Sequence, residues 1–297
     1  MSKPFIALDW GTSSFRAYHV GAGGEVLAEE ADSNGILSVS DGGFEEALEG
    51  HIGGWDRSLP VLAAGMITSR QGWIELPYVD CPAGPEDLAR TMHRHEAKSG
   101  RVIHFATGLH LRSDSLGHDV MRSEEVQVFG SLGQGVTHFI TPGTHSKWID
   151  VDGEKITRFA TYVTGETFSV LRKNTILGRL MTSDAVDEVS FAQGVVKAQA
   201  DPSGLLHSLF SVRSLGLFNE IPAEALSSYL SGLVIGTEVA HALQSRSRRA
   251  GYMILASPKI GGRYAKALEV VGVEARYGDP LAIVHGLRKI GQTAGLV

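Results

Sequence analysis

Cysteine is almost absent. The 297 residues contain one, Cys81. A single thiol can form no internal disulfide and no thiolate metal cluster, and that usage fits a reducing cytosol. No Gly-x-x-x-x-Gly-Lys-Ser/Thr run occurs, so a P-loop is excluded. No Gly-x-Gly-x-x-Gly follows a strand pattern, so the dinucleotide fingerprint is missing too. Basic residues are in deficit: 27 Lys and Arg against 33 Asp and Glu leave a net charge of −6. That balance argues against nucleic acid or an anionic membrane as a general partner. An anionic small molecule would need only local arginine. No apolar run is long enough to span a bilayer. The N-terminus enters a strand without the basic and apolar regions of a signal peptide, so a cytoplasmic protein is expected. Hydrophobic content of 43% and charged content of 20% are those of a globular protein, and the length suits two lobes.

The most informative stretch is residues 4–20. Phe5 to Leu8 read as a short apolar strand, Asp9-Trp10-Gly11-Thr12-Ser13-Ser14 as a tight turn, and Phe15 to Val20 as the returning strand. Such a turn suits phosphate. Gly11 lets the backbone come close to a ligand. The turn N–H groups and the hydroxyls of Thr12, Ser13 and Ser14 can donate to phosphate oxygens. Asp9, at the strand end, is placed to hold a hydrated Mg²⁺ beside them. The bland alternative is an ordinary hairpin with a solvated Asp.

Residues 137–153 repeat the pattern. Phe139 and Ile140 lead into the Gly143-Thr144 turn, a strand returns over Lys147 to Val151, and a third follows from Lys155 to Val163. Gly143, Thr144 and His145 would face the outer phosphates, with Lys147 adding positive charge. Thr141-Pro142 stand where the first copy has its acid, so this half lacks the metal-holding Asp. Two such hairpins point to a duplicated fold that clasps one nucleotide.

Asp-Trp-Gly-Thr-Ser-Ser-Phe-Arg-Ala at 9–17 and Thr-Pro-Gly-Thr-His-Ser-Lys-Trp at 141–148 resemble the two phosphate motifs of the actin/Hsp70/sugar-kinase superfamily. Ala64-Gly65-Met66 with Gly72-Trp73, Met121-Arg122-Ser123-Glu124-Glu125, Thr164-Gly165-Glu166, Leu230 to Glu238 and Gly278-Asp279 narrow the resemblance. Together they resemble the 2-dehydro-3-deoxygalactonokinase family over nearly the whole chain. The resemblance implies an α/β, duplicated ribonuclease-H-like fold, with two lobes that each hold a mixed five-stranded sheet flanked by helices. The expected lobes are 1–133 and 134–297. The implied reaction is ATP- and Mg²⁺-dependent phosphorylation of 2-dehydro-3-deoxy-D-galactonate on its 6-hydroxyl. Two rivals stay open: a kinase for another sugar or sugar acid, and a nucleotide-dependent regulator or ATPase on the same fold. A homo-oligomer is also left open.

The remaining candidates follow the chain. Arg16, on the returning strand, falls in the family motif and is expected to face substrate or phosphate. Phe44 to Trp55 read as a helix. The polar loop from Gly65 and Met66 to Trp73 follows a strand, the usual place for a binding loop, and is assigned to the sugar acid. Pro85 to about Lys98 read as a helix carrying His93 and His95 on different faces. Asp119 to Leu132 read as another helix. In related sugar kinases an acid at this place takes the proton of the attacking hydroxyl, which implies Glu124 as base, with Glu125 the alternative. Arg122 is a candidate for the substrate carboxylate, because guanidinium and carboxylate pair bidentately. Thr164 and Glu166 open a helix expected against substrate or nucleotide. Phe191 to Ala200, Leu205 to Arg213 and Pro222 to Leu243 read as helices, with Gly232 and Gly236 allowing a close backbone approach. Ser257, Pro258, Gly261 and Gly262 form a strand-to-helix turn suited to adenosine.

Overall fold

The computed structural model describes residues 2–40, 42–113 and 117–297. Strands β1 (Phe5–Trp10), β2 (Phe15–Val20) and β3 (Val26–Asp32) precede helix α1 (Phe44–Ile52) and strand β4 (Val61–Ala64). Next come β5 (Val79–Asp80), α2 (Pro85–Thr91), β6 (His93–Glu96), β7 (Val102–Phe105), β8 (Leu109–Ser113), β9 (Gly117–Met121) and α3 (Glu124–Gly130). The chain continues through β10 (His138–Thr141), β11 (Ser146–Asp152), β12 (Lys155–Tyr162), α4 (Thr164–Asn174), α5 (Glu188–Ala200), α6 (Leu205–Leu217) and α7 (Leu226–Ala242). It ends with β13 (Tyr252–Ile254), α8 (Pro258–Val270), β14 (Ala275–Tyr277) and α9 (Ala282–Thr293).

Two sheets repeat one strand order. The first runs β3-β2-β1-β4-β7-β6 and the second β12-β11-β10-β13-β14, while β5-β8-β9 form a small third sheet. In the first, β1 pairs antiparallel with β2 and parallel with β4. In the second, β10 and β13, then β13 and β14, pair in parallel. The chain divides into two compact units, one of Met1–Gly135, Asp150–Phe159 and Asp279–Val297, the other of Val136–Ile149 and Ala160–Gly278. The first boundary between them falls at Gly135–Val136, and α9 groups with the first unit.

Period-two alternation explains β1. Ile6, Leu8 and Trp10 enter a core with Phe15, Leu48 and Ile52, so Asp9 is left on the other face. On that side α9 crosses α3 closely. A Cβ on Gly130 would lie 1.9 Å from the carbonyl of Ala282, and one on Gly286 1.9 Å from that of Val126. In the second unit, α5 and α7 cross on glycines. A Cβ on Gly232 would lie 2.0 Å from the Phe191 carbonyl, and one on Gly236 2.8 Å from the Val195 Cα. The close approach expected of these two glycines is therefore made by α5.

Three expectations are corrected. The helix from Pro85 stops at Thr91, because His93–Glu96 pair antiparallel with β7 and extend the first sheet to six strands. The helix expected from Asp119 starts only at Glu124. Residues 117–121 alternate exposed and buried as a strand, and Leu111 pairs with Asp119. The helix from Phe44 ends at Ile52, where Gly53 closes its last turn.

Candidate active site

In the first unit, register places Asp9 opposite Arg16 and beside Ala64, at the carboxyl ends of β1 and β4. The turn closes with a Gly11 N–H to Ser14 carbonyl bond of 2.9 Å. Sequence inspection passed over what backs it. Ile36 donates to the Gly11 carbonyl and Leu37 to that of Thr12, and a Cβ on Gly35 would lie 2.3 Å from the Ser13 nitrogen. The carbonyls are thereby tied down, and Thr12 and Ser13 are exposed. Gly65 adopts a φ of 106°, and a Cβ there would lie 2.6 Å from the Trp10 carbonyl. Only glycine fits that left-handed, backbone-crowded position.

Ser123 connects the acids. Its φ of 98° is an uncommon, costly conformation for a residue with a side chain. In that pose its hydroxyl donates to Asp9 Oδ1 at 2.9 Å, and its N–H donates to Glu125 Oε1 at 2.9 Å. Glu124 Oε2 accepts from the Arg122 N–H at 2.9 Å. Burial raises the Asp9 pKa from its ordinary value, against the Ser123 hydrogen bond and the Arg16 charge, while the charge of Glu124 raises it further. Glu125 is fully buried, and Oε2 has no hydrogen-bond partner. Burial first, then the charge of Glu124, push its pKa up to about 8. Burial thus favours the neutral form of Glu125. The two adjacent glutamates differ: Glu124 is partly exposed and Glu125 is sealed in.

Arg122 is buried and committed to its own unit. Its Nη1 donates to the Thr68 carbonyl and, at 2.6 Å, to the Thr68 hydroxyl. Its Nη2 reaches the Leu76 carbonyl at 3.2 Å, and its guanidinium lies 4.2 Å from the centre of the Tyr78 ring. That engagement revises the expectation of a substrate-carboxylate ligand: Arg122 anchors the loop after β4. Trp73, also expected at the substrate, stacks on Phe44 and meets His95 and Phe105 edge-on, so it pins the same loop to the core. Arg16 remains exposed, close enough to Asp9 to lower its pKa. Met66 begins a single 3-10 turn that ends at Thr68.

The second unit holds a cavity of about 500 Å³, lined by Gly143, Thr164, Gly165, Phe168, Ile235, Ile260, Arg263 and Tyr264 among others. A Cβ on Gly143 would meet nothing nearer than the His145 carbonyl at 3.8 Å, so the protein's own packing leaves that space open. Gly165 is different. A Cβ there would lie 2.3 Å from the Gly143 carbonyl, and Glu166 donates its N–H to the Thr144 carbonyl at 3.0 Å. The first turn of α4 is thus packed against the Gly143-Thr144 turn. His145 Nε2 lies 2.7 Å from Glu166 Oε2, both exposed, and buried Lys147 reaches the His145 carbonyl at 3.4 Å.

The expected adenosine turn is corrected in part. Ser257 precedes α8 and Pro258 is its first residue, but Gly261 and Gly262 lie inside the helix. A Cβ on Gly261 would lie 3.0 Å from the Tyr277 ring, so that glycine serves helix–strand packing. The cavity is lined instead by Lys259, Ile260, Arg263 and Tyr264, with Phe168 from α4 and Ile235 from α7. One turn of spacing from Ile260 to Tyr264 was the available signal. Burial lowers the pKa of Arg263, which bonds to the Ser231 hydroxyl at 3.2 Å and lies over Phe168.

Two sheets of one order, each with a glycine turn on its central hairpin, make a ribonuclease-H-like, actin-like fold. A model of the 2-keto-3-deoxy-galactonokinase family matches residues 9–290, and the chain belongs to that family. It is 35% identical over 285 residues to the "probable 2-dehydro-3-deoxygalactonokinase" of Rhizobium meliloti (strain 1021), covering 93% of this chain and 92% of that one. It is 29% identical to the 2-dehydro-3-deoxygalactonokinase of Escherichia coli (strain K12), over 98% of both chains. A crystal structure of a Sinorhizobium meliloti protein with the same kinase designation aligns at a TM-score of 0.90 and 33% identity, covering 97% of this chain and 98% of that one. The activator of the 2-hydroxyisocaproyl-CoA dehydratase from Clostridium difficile, with bound ADPNP, aligns at 0.53 and 13% identity over 98% and 95% of the two chains, a likeness of fold alone.

Proposed function

We propose that the protein is an ATP-dependent kinase that phosphorylates 2-dehydro-3-deoxy-D-galactonate on its 6-hydroxyl, giving 2-dehydro-3-deoxy-6-phosphogalactonate for galactonate breakdown. Family membership names the acceptor class. The observation that carries the chemistry is the meeting of Asp9 with the Arg122–Glu125 turn in the first unit: the Ser123 hydroxyl donates to Asp9, and Glu124 accepts from the Arg122 N–H.

Phosphoryl transfer depends mainly on positioning and charge neutralisation. The Gly11–Ser14 turn supplies N–H and hydroxyl donors suited to phosphate oxygens in the first unit, and the Gly143–Thr144 turn is a second such turn within its own unit. The cavity beside Gly143 receives the nucleoside, with Phe168, Ile235 and Ile260 against the base. Glu124 accepts the proton of the attacking hydroxyl, because it is the partly exposed member of an acidic pair whose other member is sealed in. Glu125 keeps its proton and stays structural. Arg16 is the exposed cation near Asp9 and answers the negative charge of acceptor and phosphate.

Mg²⁺ fits this arrangement. The metal usually takes one or two carboxylates, with phosphates and waters completing its shell. Asp9 is one partly buried carboxylate with a single oxygen engaged by Ser123. Among the described residues no cluster of three or more acidic, His or Cys side chains forms an all-protein cage. When bound, the ion would neutralise phosphate charge. Among the described residues no helix is long and apolar enough to cross a membrane.

A coupled ADP-release assay against 2-keto-3-deoxy acids and neutral sugars tests the reading. Galactonate-derived acceptor should be preferred; equal release without acceptor would end it in favour of an ATPase. Glu124→Gln should lower kcat at least about a hundredfold with ATP binding retained. Unchanged turnover would remove Glu124 as base.

A further inference from the structure

Glu238 lies on α7, 3% exposed, in a stretch that the reaction does not use. Its carboxylate accepts two buried hydrogen bonds, one on each oxygen. Trp148 Nε1 reaches Oε1 at 2.7 Å and the Tyr264 hydroxyl reaches Oε2 at 2.7 Å. Burial raises the pKa of this carboxyl, and the Thr164 and Ser146 hydroxyls beside it act in the opposite sense. These four residues come from three other elements. Ser146 and Trp148 belong to β11, directly after the Gly143–His145 turn. Thr164 is the first residue of α4, and Tyr264 stands on α8. Thr164 and Tyr264 also line the cavity, so the carboxylate lies behind its wall.

A carboxylate is the side chain that can accept from several converging donors at once. An apolar residue of the same size would leave the Trp148 N–H and the Tyr264 hydroxyl buried and unpaired. General stability does not require such a group, since buried charge is a poor way to hold a core together. What it does provide is one point that ties β11, α4, α7 and α8 in a single relative placement. We propose that Glu238 is a positioning residue for the nucleotide site, fixing the second glycine turn, the first turn of α4 and the α8 wall relative to one another. The inference rests on the nucleotide occupying this cavity.

The test uses the full chain and steady-state kinetics, with calorimetric titration of a non-hydrolysable ATP analogue. Glu238→Gln keeps one acceptor oxygen but turns an amide N–H₂ towards a donor. The KM for ATP should rise about tenfold, with kcat and the acceptor KM within about twofold, as expected for a misplaced binding wall. A lower melting temperature with unchanged ATP KM and analogue affinity would overturn the inference. So would an equal loss in the acceptor KM. Should Glu238→Gln fail to fold, Tyr264→Phe removes one donor and leaves the carboxylate in place. It should raise the ATP KM about threefold in a folded protein, and no change would refute the positioning. Ile260→Trp fills the cavity from its exposed rim. If it leaves the ATP KM untouched, the nucleotide is elsewhere and both readings fall. If it raises the KM while Glu238→Gln and Tyr264→Phe do not, the positioning inference alone fails.

Discussion

Replacing Glu125 by Gln gives a sharp test of the acidic group. Glu125 is fully buried, and its pKa is raised from 4.5 to about 8, by burial first and then by the charge of Glu124. The folded value lies above the unfolded one, so the native state retains a proton that the unfolded chain has lost. Stability from this residue is therefore full below pH 4.5 and declines as pH rises through 8. At about 1.4 kcal/mol per pKa unit, the shift corresponds to roughly 5 kcal/mol in all, of which about 3 kcal/mol is lost between about pH 5.5 and pH 8. Gln keeps the acceptor for the Ser123 N–H and cannot ionise. The assay is urea unfolding by tryptophan fluorescence across that pH range. Trp10, Trp55 and Trp73, three of the four tryptophans, lie in the unit that contains Glu125. The wild type should lose stability relative to Glu125→Gln by about 3 kcal/mol over this range. Parallel curves would refute the buried neutral acid and, with it, the division of labour between Glu124 and Glu125.

Three further outcomes are expected. Gly143→Ala should fold normally, since its Cβ meets nothing nearer than 3.8 Å, yet raise the KM for ATP; melting curves and kinetics together check it, and Gly165→Ala, whose Cβ would lie 2.3 Å from a carbonyl, should instead unfold earlier. Ser123→Gly relieves the left-handed backbone and removes the hydroxyl from Asp9, so stability should hold or rise by about 1 kcal/mol while kcat falls. Higher activity in that variant would refute Ser123 as the organiser of the acids. Gly65→Ala should cost at least about 2 kcal/mol in urea unfolding, given its positive φ and the Trp10 carbonyl 2.6 Å from the new carbon.

Local pattern carried much of this molecule. The hairpin of Phe5–Trp10 and Phe15–Val20 is legible because alternation, a glycine turn and apolar ends all lie within sixteen residues. The long α7 is legible for a like reason, from Leu226 through Leu233 to Val239. Reading failed where two patterns compete over a short span. His93–Glu96 has no apolar residue to mark it as a strand; it becomes one by pairing with β7. Asp119–Met121 does alternate, but the acidic pair that follows looks like the first turn of a longer helix.

The site divided in the same way. The acids of the proposed site, Asp9 and Glu124–Glu125, and both glycine turns could be picked out from the order of residues along the chain, because each motif is contiguous. Which glutamate is sealed in, why Arg122 faces the Thr68 and Leu76 carbonyls rather than open solvent, and which side chains wall the cavity beside Gly143 were decided only by folding. Burial and hydrogen-bond direction depend on residues from distant segments meeting, as Ser123 meets Asp9 and Glu238 meets Trp148 and Tyr264. No local window of sequence contains those encounters.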